Sequence, residues 1–551
     1  MTDPIMSNET IIRRSANYRP PIWDFDFVQS LKSEFVGELN IKRIDKLKED
    51  VKMMLNKTMA PSDQFELIDT LQRLGLAYHF GDEIKRIVKS IYNSHRNDNT
   101  WMKEDLHTIA LQFRLLRQHG YNISQEIFDI FRDELGNFKE CLHEDIEGML
   151  SLYEASYLLE EGENILEVAR EFAASCLKKY IQVNKDQLLS MIVSHSLEVP
   201  LHWRMPRLET RWFIDIYEKK QGMNPLLLEL AKLDFNNVQA TYHEDLKYVT
   251  SWWRNTGLGE KLSFARDRLM ENFLWTVGVN FPPQFGYFRR ISTKVNSLIT
   301  VIDDIYDVYG TLDELQLFTN AVERWDVNAM DQLPEYMKLC FLALHNSINE
   351  MAYDALREQG FHIIPYLKKA WADLCKSYLV EAKWYYIGYT PTLQEYMDNA
   401  WISISAPVIL VHAYFLEGSP ITNEALKSLK EYPDIIQWSS MILRFADDLG
   451  TSSDELKRGD NPKSIQCYIY ETGVSELKAR EHIQYLIGET WKKINKEREY
   501  IDSPFSKIFI EVATNLARMA QCMYQHGDGH GIEDGETKDH VLSLLVKPIP
   551  M

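Results

Sequence analysis

The stretch Val301-Ile302-Asp303-Asp304-Ile305-Tyr306-Asp307 continues from Leu298-Ile299-Thr300, so an apolar run ends in three carboxylates where core packing calls for more aliphatics. Asp303 and Asp307 are four residues apart. On an α-helix that spacing puts them on one face, about 6 Å apart along the axis. Acids so close repel one another and raise their own pKa values unless cations intervene, and oxygen-only donors suit Mg2+ or Mn2+ rather than Zn2+. Taken alone, a short acidic motif reads first as a solvated helix end, because such motifs recur by chance. The hydrophobic approach weakens that reading and places the acids at the mouth of a buried helix.

A second acidic stretch, Arg444-Phe445-Ala446-Asp447-Asp448-Leu449-Gly450-Thr451-Ser452-Ser453-Asp454-Glu455, lies far downstream. Asp447, Thr451 and Glu455 follow i, i+4, i+8 spacing, which stacks two carboxylates and a hydroxyl along one helix stripe over about 12 Å. Either stripe alone fits a solvated acidic helix. Both together, on facing helices, would wall a metal-filled cavity.

The chain of 551 residues is too long for one ordinary core, and 45% hydrophobic residues suffice to bury two. The helical patterns divide it into a capping arm over 1–27, an N-terminal helical domain over 28–222 and a second helical domain over 223–551. The break falls at Gly222-Met223-Asn224-Pro225, where a Gly and an Asn-Pro turn separate two periodic regions. The fold class is all-α, since amphipathic periodicity runs throughout with few β-branched alternations. A net charge of −20 disfavours nucleic acid and anionic membrane as partners. No apolar run reaches the roughly 18 residues of a membrane span; the longest, Ala406 to Leu416, contains His412. The six cysteines form no CxxC pair, which argues against a disulfide framework or a zinc cluster. Met1 to Ile12 lack the apolar core of a secretory signal and the Arg-rich bias of a transit peptide.

Arg13-Arg14-Ser15-Ala16-Asn17-Tyr18-Arg19-Pro20-Pro21-Ile22-Trp23 carries a Pro pair that blocks helix. It reads equally as an extended strap pinned by its aromatics or as a disordered basic tail. Arg114, Arg117 and His119 form no metal or triad spacing and are read as helix-surface and inter-helix contacts. Phe264-Ala265-Arg266-Asp267-Arg268 and the aromatics of the second half, Trp275 among them, complete the singular features.

In this order and spacing, the motifs RRx8W (Arg13, Arg14, Trp23), RDR (Arg266, Arg268), DDIYD (Asp303, Asp304, Asp307) and DDLGTSSDE (Asp447, Thr451, Glu455) resemble those of plant class I terpene synthases. The resemblance runs nearly end to end, and the arginine motif with FRLLRQHG and LSLYEAS (Leu150 to Ser156) looks most like the angiosperm monoterpene synthase branch. It implies a catalytically silent N-terminal α-barrel and a C-terminal bundle that ionises a prenyl diphosphate with three Mg2+ ions, Mn2+ being an alternative. Asp303 and Asp307 would serve two ions, and Asp447, Thr451 and Glu455 the third. Asp304 would orient its neighbours, while Arg266, Arg268, Arg444 and Lys463 clamp the diphosphate. The loops Lys457 to Lys463 and His526 to Asp534 would form a lid, with the Arg13-Arg14 arm capping it. Many relatives begin the second motif with Asn where this chain has Asp447, and Asp is also accepted there. No DxDD occurs in the N-terminal half, so protonation-initiated cyclisation is not expected.

A carbocation must be kept from water, and Trp275 is the leading candidate to face it, plain core packing being the alternative. Asn296, two turns before Asp303, should look into the cavity, where it either bonds backbone or holds a water that quenches the cation to an alcohol or ether. Isoprene-forming members of the family resemble this chain but carry Phe at the matching position, so Asn296 argues for a C10 or larger substrate. The expectation is conversion of geranyl diphosphate to monoterpenes by a monomer or homodimer. Alternatives are a cytosolic sesquiterpene synthase using farnesyl diphosphate, a chain-elongating enzyme, disfavoured by the missing second DDxxD, and a non-catalytic helical metal-binding scaffold. The chain as it stands is expected to be cytoplasmic, or stromal in the plastid if a transit peptide is missing from it.

Overall fold

The structure is a computed structural model describing residues 13–57, 60–98, 105–184, 188–499, 503–531 and 535–551. Among these the only β-pairing is an isolated bridge between Arg132 and Phe138, so all the architecture is helical. The longer N-terminal helices are α1 (Glu38–Asn56), α2 (Pro61–Arg73), α3 (Gly81–Asp98), α4 (Leu106–Gln118), α5 (Ile146–Ser156), α6 (Asn164–Val183), α7 (Leu188–Glu198) and α8 (Pro206–Lys219). Arg114 and Arg117 on α4 are buried, paired with Asp69 and Glu163. They are inter-helix contacts and not surface residues, because each guanidinium has a carboxylate to neutralise it inside the protein.

After a break at 220–224 come α9 (Pro225–Thr256), α10 (Leu269–Val279), α11 (Gly286–Asp304), α12 (Leu312–Arg324), α13 (Glu335–Gln359), α14 (Ile364–Ile387), α15 (Leu393–Ser403), α16 (Ala406–Leu416), α17 (Asp434–Arg458), α18 (Ser464–Thr472), α19 (Glu476–Glu499) and α20 (Lys507–Tyr524). Every residue of α10 is buried, as expected of a helix enclosed on all sides. It packs between α11 and α20, while α16 lies against α11, α14 and α17. On α11, Ile291, Val295, Leu298 and Ile302 form the apolar stripe that turns inward. Asn224 caps α9 through its side chain, and Gly459, at φ 80°, terminates α17 in the left-handed conformation. The α15–α16 stretch, Leu393–Leu416, is long and apolar enough to cross a membrane by composition, but most of it is buried in the core. Ser405, at φ 69°, breaks it in two.

Candidate active site

A cavity of about 150 Å³ gathers residues of α10, α11, α14, α17 and α20 with both acidic stripes in its wall. Asp303 and Asp307 contribute one part, and Asp447, Thr451 and Glu455 another. Arg266, Arg444, Lys463, Trp275 and Asn296 of the expected set join them.

Asp303 and Asp307 do not share a regular α-helix. The α-helix ends at Asp304, and Ile305–Tyr309 forms a π-helical turn closed by Gly310 N–H donating to the Ile305 carbonyl at 2.8 Å. The wider ring changes the angle between the two acids from the α value assumed from spacing. Asp304 shows what holds the turn: fully buried, it accepts from the backbone N–H of Arg266 at 2.6 Å and from its Nε at 2.9 Å. Arg266 Nη2 reaches on to Asp303 at 2.5 Å. A side chain at position 310 would collide with Leu315 and the Ile305 carbonyl, at 2.5 and 2.9 Å, so the turn closes on glycine.

The second stripe lies on α17. Arg444 pairs with Asp447 and, at 2.6 Å, with buried Asp448. Asp448 also accepts from Tyr396 Oη at 3.1 Å and Ser464 N at 3.0 Å, which fixes the start of α18 and therefore Lys463. Lys463 Nζ is 4.0 Å from Glu455. Burial would lower the Lys463 ammonium, but Glu455 and Glu381 outweigh it and the net shift is upward. Burial, opposed by Arg444, pushes the Asp447 carboxyl up to about 7. Asp307 faces the cavity mouth yet is ringed by protein; that enclosure, and then the Asp303 charge, hold its carboxyl well above the usual range. Excess negative charge of this kind is relieved by a cation.

The donors fit a divalent metal ion. Glu455 Oε2 is buried without a hydrogen-bond partner. Thr451 spends its proton on the Asp447 carbonyl at 2.9 Å, which leaves its lone pairs available. Among the described residues no three acidic, His or Cys side chains converge on one point; Arg266 and Arg444 act as the counter-charges instead.

Arg268 departs from expectation. It is absent from the cavity wall, and its Nη atoms donate to the backbone carbonyls of Arg19 at 3.3 Å and Gly531 at 3.2 Å. Being buried beneath these segments, it ties the arm and the C-terminal loop to the bundle instead of reaching an anion in the cavity. Residues 1–12 of the arm lie outside the described residues; from Arg13 onward it is held against the bundle. Arg13 pairs with Glu314 at 2.8 Å and lies over Tyr309, on the π-turn. Arg14 donates to the Asp307 carbonyl at 2.9 Å and pairs with Asp460 at 2.6 Å. Trp23 Nε1 donates to Glu271 at 3.1 Å. Of the two expected lid loops, 457–463 supplies Asp460 to the arm, and Asp528 and His530 of the other line the cavity. Residues 532–534 of that second loop lie outside the described residues.

Trp275 lines the cavity, 6.1 Å from the Tyr524 ring and 6.5 Å from His530. His530 is held neutral: burial first, then Arg266 and Arg268, lower it to about 3. Asn296 Oδ1 is buried without a partner; among the described residues its side chain bonds no backbone group, which removes support from the backbone account.

Sequence reasoning missed Glu381. It is buried, accepts from Asn399 at 3.1 Å and from Ser403, and its charge acts on Asp307, Arg444 and Lys463. It also missed Ser405, and it named only the segments, not the residues, that bring Tyr18 and His530 to the wall. None stands at a telling spacing from another acid; only Pro407, just after Ser405, hinted at the helix break.

Comparison with known proteins agrees with this geometry. The profile "Terpene synthase, N-terminal domain" matches residues 22–197, and "Terpene synthase family, metal binding domain" matches 254–493. The chain is 68% identical over 542 residues to a (-)-alpha-terpineol synthase of Vitis vinifera, covering 98% of this chain and 92% of that protein. It is 64% identical to a chloroplastic myrcene synthase of Quercus ilex, covering 100% and 92%. Among solved structures, limonene synthase with 2-fluorolinalyl diphosphate superposes with a TM-score of 0.95 at 49% identity, covering 98% and 100%. Isoprene synthase from Populus x canescens, with three Mg2+ ions and dimethylallyl-S-thiolodiphosphate, gives 0.89 at 49%, covering 96% and 99%. With both helical blocks matched and two oxygen-donor stripes meeting in one cavity, the chain belongs to the terpene synthase family of divalent-metal-dependent enzymes.

Proposed function

We propose that this chain is a monoterpene synthase: it ionises geranyl diphosphate and guides the carbocation to monoterpenes, releasing diphosphate. The observation that carries the reading is the meeting, in one cavity, of Asp303 and Asp307 with Asp447, Thr451 and Glu455 beside the cationic side chains of Arg266, Arg444, Arg458 and Lys463. Mg2+ bound on these oxygens, three ions as in the isoprene synthase complex, would supply Lewis-acid neutralisation of the leaving group. Mn2+ suits the same donors.

The chain's own residues do the rest. Arg444 and Lys463 line the wall beside the second stripe and offer N–H donors to diphosphate oxygens. Arg266 spends Nε and Nη2 on Asp303 and Asp304 and keeps Nη1 without a described partner, so one edge of its fork remains for the substrate. After the C–O bond breaks, the indole face of Trp275 offers a π surface to the allylic cation. The arm over the π-turn excludes water. Among the described residues the N-terminal block over 28–222 contributes none to the wall, and the arm contributes Tyr18, in keeping with a catalytically silent domain.

Incubating the purified protein with geranyl and, separately, farnesyl diphosphate in Mg2+, then in Mn2+, with gas chromatography and mass detection, tests the assignment. Monoterpenes from the C10 substrate are expected, with loss of turnover in EDTA. Products from the C15 substrate alone would replace the reading with a sesquiterpene synthase, and no diphosphate release from either would leave a scaffold. Several relatives are named chloroplastic, which supports the plastid over the cytoplasm; sedimentation would decide between monomer and homodimer.

A further inference from the structure

Between its anchors the arm makes one further approach to the cavity. Arg13 and Arg14 fix its start on Glu314 and Asp460, and the Arg19 carbonyl and Trp23 fix its far side on Arg268 and Glu271. Between these points Asn17 takes a left-handed φ of 52°, in a turn where its N–H donates to Ser15 Oγ at 3.2 Å. Asn tolerates that conformation better than most residues. The next residue, Tyr18, enters the cavity wall with Asp303, Asp307 and Glu455. Its ring lies under the Arg266 guanidinium, 5.1 Å from ring centroid to Cζ. Among the described residues its hydroxyl bonds no protein group, and burial keeps the phenol protonated. Arg266 is therefore held on two edges by Asp303 and Asp304 and on one face by Tyr18.

We propose that Tyr18 is the positioning residue through which the arm acts on the reaction: its aromatic face braces the Arg266 guanidinium so that the free Nη1 edge is presented to the diphosphate. The inference rests on the terpene synthase reading of the cavity. A guanidinium over an aromatic face gains a cation–π attraction that an aliphatic roof of similar size lacks. The ring face, and not the hydroxyl, is thus the group that matters.

The test compares Tyr18→Phe with Tyr18→Leu in the full chain with Mg2+ and geranyl diphosphate. Tyr18→Phe keeps the ring and serves as the reference for the comparison. Tyr18→Leu raises KM by roughly three- to ten-fold, the range expected for one cation–π contact, with thermal stability unchanged. In an Arg266→Lys background, Tyr18→Leu adds less than half of that effect, because the planar partner is gone. Equal behaviour of the Phe and Leu variants, or full multiplication of the two substitutions, overturns the proposal. A wild-type protein that releases no diphosphate from any prenyl diphosphate would overturn the functional reading instead.

Discussion

Asp303 and Asp304 are chain neighbours with opposite surroundings: one faces the cavity and the other is fully buried on Arg266. Replacing Asp303 or Glu455 by Ala removes one of the proposed metal donors without disturbing packing. Turnover should fall by roughly three orders of magnitude, since several kcal/mol of charge stabilisation is at stake. The far-UV circular dichroism should not change, and wild-type turnover in either variant would remove that stripe from the mechanism. Asn296→Ile places a methyl-bearing side chain where an unpartnered amide oxygen now faces the cavity. Alcohol or ether products should give way to hydrocarbons while turnover persists; an unchanged oxygenated fraction by gas chromatography would end the water-holding role. The second stripe was legible in the sequence because donors on one helix recur at fixed intervals, and the first because its acids end an apolar run, although their spacing is not the α-helical one assumed. Tyr18 and His530 in the wall, and Glu381 behind it, were not legible, because each comes from a separate segment and only the tertiary path brings it to the site.

At the scale of elements, the arm is a strap docked on a helix cap. Glu314 both closes the capping box of α12 with Thr311 and accepts Arg13. Burial alone would raise its carboxyl, but the Arg13, Thr311 and Tyr336 hydrogen bonds outweigh it and bring it down to about 2. That value is below an unfolded glutamate near 4.3. The stabilisation is therefore fully present above about pH 4.5 and is lost as pH falls towards 2. Glu314→Gln should show a flatter decline in melting temperature over that window than the wild type; parallel curves would mean the contact contributes nothing. Deleting residues 1–14 should leave melting within a few degrees, because among the described residues the arm adds no core residue before Val28, yet lower the cyclic fraction of the products. Early unfolding, or an unchanged mixture, would show the arm misread. The sequence left strap and tail equally open here, since extended segments have no periodicity. Nor did spacing reveal the π-turn, whose i→i+5 bond depends on Asp304 being drawn inward to Arg266.

The helical character of the chain was legible from periodicity alone, whereas the way its helices dock was not, because it relies on a few buried polar residues. Asn495 is the clearest: its Nδ2 donates to the Tyr157 and Leu159 carbonyls at 3.0 and 2.8 Å, and its Oδ1 meets His202 at 2.7 Å. Asn495→Leu strands buried acceptors, each costing about 1–3 kcal/mol. Calorimetry should show a melting point lowered by several degrees, with KM for geranyl diphosphate unchanged because Asn495 lies outside the cavity wall. The π-turn at Ile305–Tyr309 sets a different kind of limit on the whole chain. A π-helical turn holds one residue more than an α-helical turn of the same rise, so removing one residue between Asp304 and Gly310 would let the helix relax to regular winding. Asp307 would then rotate by roughly a quarter-turn, about 100°, and the Asp307 carbonyl that receives Arg14 would rotate with it. Substitutions at this turn alter single contacts, whereas an insertion or deletion would uncouple the Asp307 carboxylate from the arm, so chain length here should tolerate less change than side-chain identity.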